Sequence, residues 1–299
     1  IDLRVGTMPI MHGEAVVLRI LDRGSVQLDF EPLGFSDGAL AAYRSVLQRP
    51  NGIVLVTGPT GSGKTTTLYT SLTELNTIDR KVLTVEDPIE YQLSGINQVQ
   101  IKPQIDLTFA NVLRAMLRHD PDVIMVGEIR DLETVEIAIQ AALTGHLVLS
   151  TLHTNNAAST LMRLLDMGAE TYLVASTLNG IVAQRLVRQL CKECRELYKP
   201  LPDMIEQLGL KPGDVQEFWA PKGCEACRQT GYFGRISINE VLVMSDKIRE
   251  QILRRTDAET LQRVALDTGM RPMFQDGIDK ARAGVTTVEE VLRVTREVG

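Results

Sequence analysis

The run "IVLVTGPTGSGKTTTLYTSL" at 53–72 limits the fold of this chain more than any other stretch. An apolar, β-branched run leads into a glycine-rich turn and then into a helix-forming segment, so a buried strand must hand over directly to a helix. Gly58, Gly63, Lys64 and Thr65 fit the pattern G-x-x-x-x-G-K-[ST] without a mismatch. Glycines at those positions let backbone N–H groups turn inward around phosphate oxygens, and the helix that follows adds the positive end of its dipole. The candidate cradle comprises Gly58, Pro59, Thr60, Gly61, Ser62, Gly63, Lys64, Thr65 and Thr66. Within it, Lys64 is expected to reach the β and γ oxygens of a nucleoside triphosphate, and the Thr65 hydroxyl to hold Mg²⁺.

The surroundings suit such a loop. "IVLVT", "VLTV", "VIMV" and "LVLST" are short Val- and Ile-rich runs bounded by Gly, Asp, Pro or Thr. Helical spacing is expected between and after them at 64–75, 107–118, 131–143 and 156–188, with a break near Gly168. Strands alternating with helices imply an α/β fold whose parallel sheet is covered on both faces. The opening stretch "IDLRVGTMPIMHGEAVVLRIL" alternates like strands and starts in mid-pattern, as the tail of a further domain would. Pro200, Pro202, Pro212 and Pro221 punctuate an irregular excursion at 195–223, and short helices are expected after Ser245. "TTVE" at 286–289 reads as a capping box, Thr286 being the cap and Glu289 its partner. The expected division is 1–30, 31–190, 191–227 and 228–299.

Two further acidic stretches end strands. "VLTVEDPIEY" carries Glu86, Asp87 and Glu90, and "DPDVIMVGEIRD" carries Glu128 after Gly127. The C-terminal ends of strands in an open α/β sheet face the ligand crevice, so these carboxylates point toward a metal and a γ-phosphate. One of the first three can order and deprotonate an attacking water, and Glu128 is the candidate metal ligand. In "ALTGHLVLSTLHTNNA", His146 and His153 flank one strand, and both are candidate nucleotide contacts.

All four cysteines, Cys191, Cys194, Cys224 and Cys227, sit in CxxC pairs, and 29 residues separate the pairs. With no secretory signal in view, that spacing favours one tetrahedral Zn²⁺ over disulfides. A closed four-thiolate site leaves no position open for chemistry, so its value is a rigid projection.

Totals exclude several classes. The net charge of −6, with six Phe, six Tyr and one Trp, offers neither the basic face nor the stacking platforms of a nucleic-acid translocase. A small-molecule phosphotransferase needs a water-excluding lid, for which there is no candidate. No apolar run approaches the ~20 residues that cross a bilayer, so a membrane role runs through partners or the surface.

These motifs together resemble the secretion ATPase superfamily, in its type II secretion and type IV pilus assembly branch. "GPTGSGKTTT" is similar to that family's Walker A, "TVEDPIEY" to its aspartate box, "IMVGEIRDLET" to its Walker B and "TGHLVLSTLHTN" to its histidine box. The resemblance implies a RecA-like core preceded by the end of a PAS-like domain. It makes Glu90 the catalytic carboxylate and Glu128 the Walker B glutamate. Arg4 and Arg19 become arginine fingers on the γ-phosphate. "GYFGRISINEVL" resembles the family's "GYxGRxGIxE", which sets Arg235 near the adenine; Ser237 and Asn239 depart from that pattern. The tetracysteine insert is a mark of the family's extension and secretion ATPases. The implied protein is an ATP-hydrolysing homo-hexamer, cytoplasmic and peripheral on the bacterial inner membrane. Its partners would be a bitopic recruiter and a polytopic platform protein. It would power pseudopilus assembly in type II secretion or, with the same chemistry, pilus extension.

Overall fold

The computed structural model describes residues 2–21, 28–200, 205 and 217–295, with backbone alone at residues 2, 4 and 19–21. The alternating opening stretch forms an antiparallel hairpin of β1 (Asp2–Ile10) and β2 (Gly13–Leu21), whose register sets Arg4 opposite Arg19.

The core is a seven-stranded sheet. Its members are β3 (Gly52–Thr57), β4 (Val82–Glu86), β5 (Asn97–Gln100), β6 (Val123–Val126), β7 (Leu147–Leu152), β8 (Leu178–Leu190) and β11 (Tyr232–Val243). Their order is β11-β8-β3-β7-β6-β4-β5, all parallel to their neighbours except β11, which runs antiparallel to β8. Strands covered on both faces need apolar side chains pointing both ways. Accordingly Ile53 and Leu55 of β3 enter one core cluster, and Val54 and Val56 enter the other. Helices α1 (Asp37–Leu47) and α2 (Lys64–Leu75) cover the second face. On the first lie α3 (Phe109–Met116), α4 (Leu132–Leu143), α5 (Ala157–Asp166) and α6 (Thr171–Thr177), with α7 (Asp246–Leu253) and α8 (Ala258–Asp267) beyond them. The starts of these helices are set by short polar caps. Ser36, Thr108, Asp131, Asn156, Ser245 and Asp257 each accept a first-turn backbone N–H.

Three sequence expectations change. Helix was expected through 188, but the chain leaves α6 at Thr177 and runs as β8 to Leu190. A short apolar run buried on both faces cannot be told from a buried helix by its period, and here the open edge of β3 decides. Gly180 allows the fit, because a Cβ there would sit 2.9 Å from the Leu242 carbonyl and 3.1 Å from Val46. Secondly, β11 pairs along β8 from Tyr232 to Val243, so the core sheet draws a strand from beyond residue 228. The excursion between β8 and β11 includes a two-stranded ribbon, β9 (Arg195–Tyr198) with β10 (Phe218–Pro221); Pro202 and Pro212 lie outside the described residues. Thirdly, the last cap is one residue later than expected. Thr287 accepts the Glu290 N–H at 3.2 Å, whereas the Thr286 hydroxyl donates to the Arg188 carbonyl at 2.8 Å.

The departures at Ser237 and Asn239 are packing devices. The Ser237 hydroxyl donates to the Leu33 carbonyl and accepts from Asn239 Nδ2 at 3.0 Å, tying the segment before α1 to β11.

Helices α9 (Met273–Arg282) and α10 (Val288–Thr295) enclose a small core around Phe218, Ile278 and Val291. Glu290 of α10 fastens this unit to β8. Its carboxylate accepts from the Arg188 N–H and guanidinium, both at 2.9 Å, and from Arg293 at 3.0 and 2.9 Å. Burial alone would raise its pKa, but the bonds from Arg293 and Arg188 prevail and bring it down to about 2. A carboxylate with a depressed folded-state pKa stabilises above its unfolded value, and that contribution is lost as pH falls toward the folded one. Glu290→Gln is therefore expected to cost about 1–3 kcal/mol at pH 7. The gap from wild type, followed by thermal unfolding, should hold down to about pH 5 and close below it. A gap that ignores pH would assign the stabilisation to packing instead.

Candidate active site

Between β3 and α2 the chain makes the tight turn its glycines require. Gly58, Gly61 and Gly63 all have positive φ, and a Cβ on Gly58 would lie 2.4 Å from the Gln184 carbonyl. The loop is held from β8, because Gln184 Nε2 donates to the Ser62 carbonyl at 2.7 Å and its Oε1 accepts from the Thr67 hydroxyl at 2.8 Å. Nothing in the local sequence marks Gln184, since the contact spans more than a hundred residues. Lys64 is buried at the loop's edge, where its ammonium donates to the Gly58 and Pro59 carbonyls at 2.9 and 3.1 Å. Burial pushes its pKa down, with Glu128 acting in the opposite direction.

The loop forms one wall of a cleft of about 490 Å³, into which Thr60, Lys64, Glu90, Glu128, His153 and Arg235 open. The opposite wall is made by the C-terminal ends of β4, β6 and β7, as an open α/β sheet dictates. The β6 and β7 ends are held in register by the Thr151 hydroxyl, which donates to the Gly127 carbonyl at 2.8 Å. Gly127, Glu128 and His153 follow directly on those two strand ends. His153 Nε2 lies 3.5 Å from Glu128. The His153 imidazole is pushed below its ordinary pKa, first by burial and then by Lys64, with Glu128 opposing.

Arg130 completes the charge pattern. Its guanidinium pairs with Glu128, stands 3.6 Å from Asp87 and lies 6.0 Å from the centroid of the Phe109 ring. The motif reading passed over it, although "GEIRD" sets a cation two residues from the strand-end glutamate.

The carboxylates of the first acidic stretch do not share one role. Glu86, Asp87 and Glu90 all border the cleft, but Glu86 at the end of β4 is only 3% exposed. Its oxygens accept from the Tyr69 hydroxyl, from Thr84 at 2.6 Å and from Gln98 at 3.0 Å. A direct nucleotide contact through Glu86 would have to compete with these three bonds. His146 lies away from the cleft. It precedes β7, at the opposite end of that strand from His153, and its Nδ1 is engaged by the Ala141 carbonyl at 2.9 Å and by Thr144 at 3.1 Å. The side chains of Arg4 and Arg19 lie outside the described residues.

A second site forms where β8 ends beside the start of β11. Cys191 follows the last residue of β8, its N–H donates to the Gly231 carbonyl at 2.9 Å, and Cys227 lies just ahead of β11. Antiparallel pairing therefore gathers both CxxC pairs, and the four sulfurs lie within 4.8 Å of one another. The closest sulfur pairs are 3.7 and 3.8 Å apart. A tetrahedron with metal–sulfur arms of ~2.3 Å has edges of ~3.8 Å. Cys227 also receives the N–H groups of Cys224 and Gly231 at 3.2 and 3.1 Å, as a thiolate would. This donor set can hold a metal ion.

Known proteins share both the sequence and the fold. Type II secretion system protein E of Xanthomonas campestris pv. campestris is 57% identical over 99% of this chain and 53% of its own length. Type II secretion system ATPase E of Vibrio cholerae serotype O1 is 49% identical over 99% of this chain and 59% of its own. The chain thus spans a little over half the length of these relatives. Among solved structures, the pilus retraction motor PilT with bound ADP superposes with a TM-score of 0.72 at 31% identity, covering 98% of this chain and 73% of that one. The core is accordingly of the RecA-like type found in secretion ATPases. The sequence model of the type II/IV secretion system proteins matches residues 1–293, and the chain belongs to that family.

Proposed function

We propose that this chain is the motor core of an ATPase that powers pseudopilus assembly and protein export in type II secretion. The observation that carries it is the meeting of a complete phosphate loop with Glu90, Glu128 and His153 in one cleft. The ADP in the PilT structure supports a nucleotide there, and the secretion relatives at about half identity favour export over pilus extension.

In the proposed reaction, the loop amides from Thr60 to Thr66 bind the phosphates and Lys64 exchanges its carbonyl partners for the β and γ oxygens. Thr65 and Glu128 would hold Mg²⁺, which supplies neutralising charge on the β and γ oxygens. Glu90 orients a water and takes its proton as the oxygen attacks the γ-phosphorus. The bond from that phosphorus to the β–γ bridging oxygen breaks, leaving ADP and phosphate. His153 donates a hydrogen bond to the γ-phosphate as charge accumulates, and Arg235 borders the base. Arg4 and Arg19, adjacent across the hairpin, would add guanidinium contacts that exist with ATP and vanish with ADP, which gives the preceding domain a reason to move. A homo-hexamer in which these hinges close in turn would push on a polytopic platform at the cytoplasmic face of the inner membrane, a bitopic protein having recruited it. No helix among the described residues is long and apolar enough to cross a membrane, so coupling through partners fits. Residues 1–30 would close a PAS-like domain, 31–190 with β11 would form the motor, 191–227 a rigid zinc-bound projection, and the rest of 228–299 a helical unit.

Lys64→Ala should slow steady-state phosphate release by roughly 10²-fold or more, because the cation over the β and γ oxygens is lost. Rates within threefold of wild type would refute the site. Glu90→Gln should keep ADP affinity while losing hydrolysis, since an amide cannot accept the water's proton. Normal turnover in this variant would move the base elsewhere. Purified protein should contain about one zinc per chain, and Cys224→Ser should lower the stability of 191–227 while sparing nucleotide affinity. Elemental analysis below about 0.2 zinc per chain, without prior chelation, would count against the metal.

A further inference from the structure

We infer that Tyr69, Glu86 and Gln98 form a positioning device that sets Glu90 in the cleft, an inference that rests on the proposed role of Glu90. In the sequence, Glu86 and Glu90 look like equivalent acids on one loop. Their surroundings separate them.

Glu86 is 3% exposed, and both of its oxygens are engaged by protein donors. A buried carboxylate with three hydrogen-bond donors is satisfied in place, and it is acceptor-only when ionised. It therefore dictates the direction of the Tyr69 hydroxyl, whose proton must point at Glu86. The same hydroxyl oxygen then has lone pairs only for an incoming donor, and the donor present is the Glu90 N–H at 3.2 Å. Burial and then the bond to Glu86 push the Tyr69 phenol well above its ordinary pKa, which keeps that proton in place at working pH.

Gln98 repeats the logic from the other side. Its Nε2 donates to Glu86 and to the Tyr91 carbonyl at 3.0 Å each, and its Oε1 accepts the Leu93 N–H at 2.8 Å. The loop after β4 is thus held at three backbone points, at residues 90, 91 and 93, by side chains that all lead back to Glu86. The Tyr91 ring also meets Tyr69 edge-on at 6.1 Å.

The location of Tyr69 gives the device its meaning. Tyr69 is fully buried on α2, the helix whose first residue is Lys64. One rigid element therefore carries the ammonium that meets the phosphates and the hydroxyl that fixes the backbone of the water-activating residue. The distance between the two is set by the helix and not by the loop. A shift of ~1 Å in such geometry can cost ~10²-fold in rate.

Steady-state hydrolysis, ADP titration calorimetry and thermal unfolding on Tyr69→Phe, Gln98→Leu, Glu90→Gln and the Tyr69→Phe/Glu90→Gln pair test this. Tyr69→Phe and Gln98→Leu should each lower kcat roughly tenfold or more while KM for ATP and ADP affinity stay within about threefold. The double variant should be no slower than Glu90→Gln alone, because the hydroxyl acts through Glu90. If both positioning variants turn over like wild type while Glu90→Gln is dead, the inference falls and the catalytic reading stands. If Glu90→Gln turns over normally, both fall. Loss of ADP affinity and unfolding midpoint in step with kcat, or an equal slowing in the Glu90→Gln background, would make the trio plain scaffolding and overturn the inference.

Discussion

The pairing of β8 between β3 and β11 is the constraint on which the rest of the molecule depends. β8 is buried along most of its length, and successive side chains leave it in opposite directions. Gln184 reaches the phosphate loop, whereas its neighbour Arg185 reaches Asn155 at 2.8 Å in the segment after His153. Arg188 fastens α10, and the strand's end delivers Cys191. One strand thus sets the loop, the histidine segment, the C-terminal helices and half of the sulfur cluster. Glu240 on β11 adds a cross-tie, with its carboxylate accepting N–H groups from Ala157 of α5 and Met273 of α9 at 2.8 and 3.2 Å.

The cleft shows how burial sorts chemically equal groups. Three carboxylates fall within residues 86–90, at and just after the end of β4, yet one is held among hydroxyl and amide donors and two meet solvent. Glu128 stands among Lys64, Arg130 and His153, so the cleft holds opposite charges close together before any phosphate arrives. Such a site is built from partners that can be exchanged, unlike the Glu86 network, whose donors have nowhere else to turn.

What was legible in the sequence follows from how local each signal is. The phosphate loop is contiguous, and its glycines declare their backbone conformation, so strand, turn and helix were all readable. The cysteine pairs were readable from their spacing. The strand at 178–190 was not, because its status is decided by the free edge of β3 some 120 residues earlier. Gln184 and Tyr69 carry no local mark, as an ordinary polar residue becomes important only through a distant partner. His146 and His153 looked alike on paper, but a six-residue strand puts them at opposite ends. Thr286 and Thr287 are adjacent identical residues, and only the position of β8 decides which of them caps the helix.

The sulfur cluster has a consequence for the order of assembly. Its two halves are separated by 29 residues and meet because β8 ends beside the start of β11. In an unfolded chain, closing a loop of that length costs on the order of 3 kcal/mol, so each CxxC pair alone would be a weak trap for an ion. The full set of four thiolates becomes available once the antiparallel ladder has formed. An ion taken up there would not guide the chain into its sheet. It would act as a ratchet, engaged last, that makes the finished ladder harder to unzip from its open end.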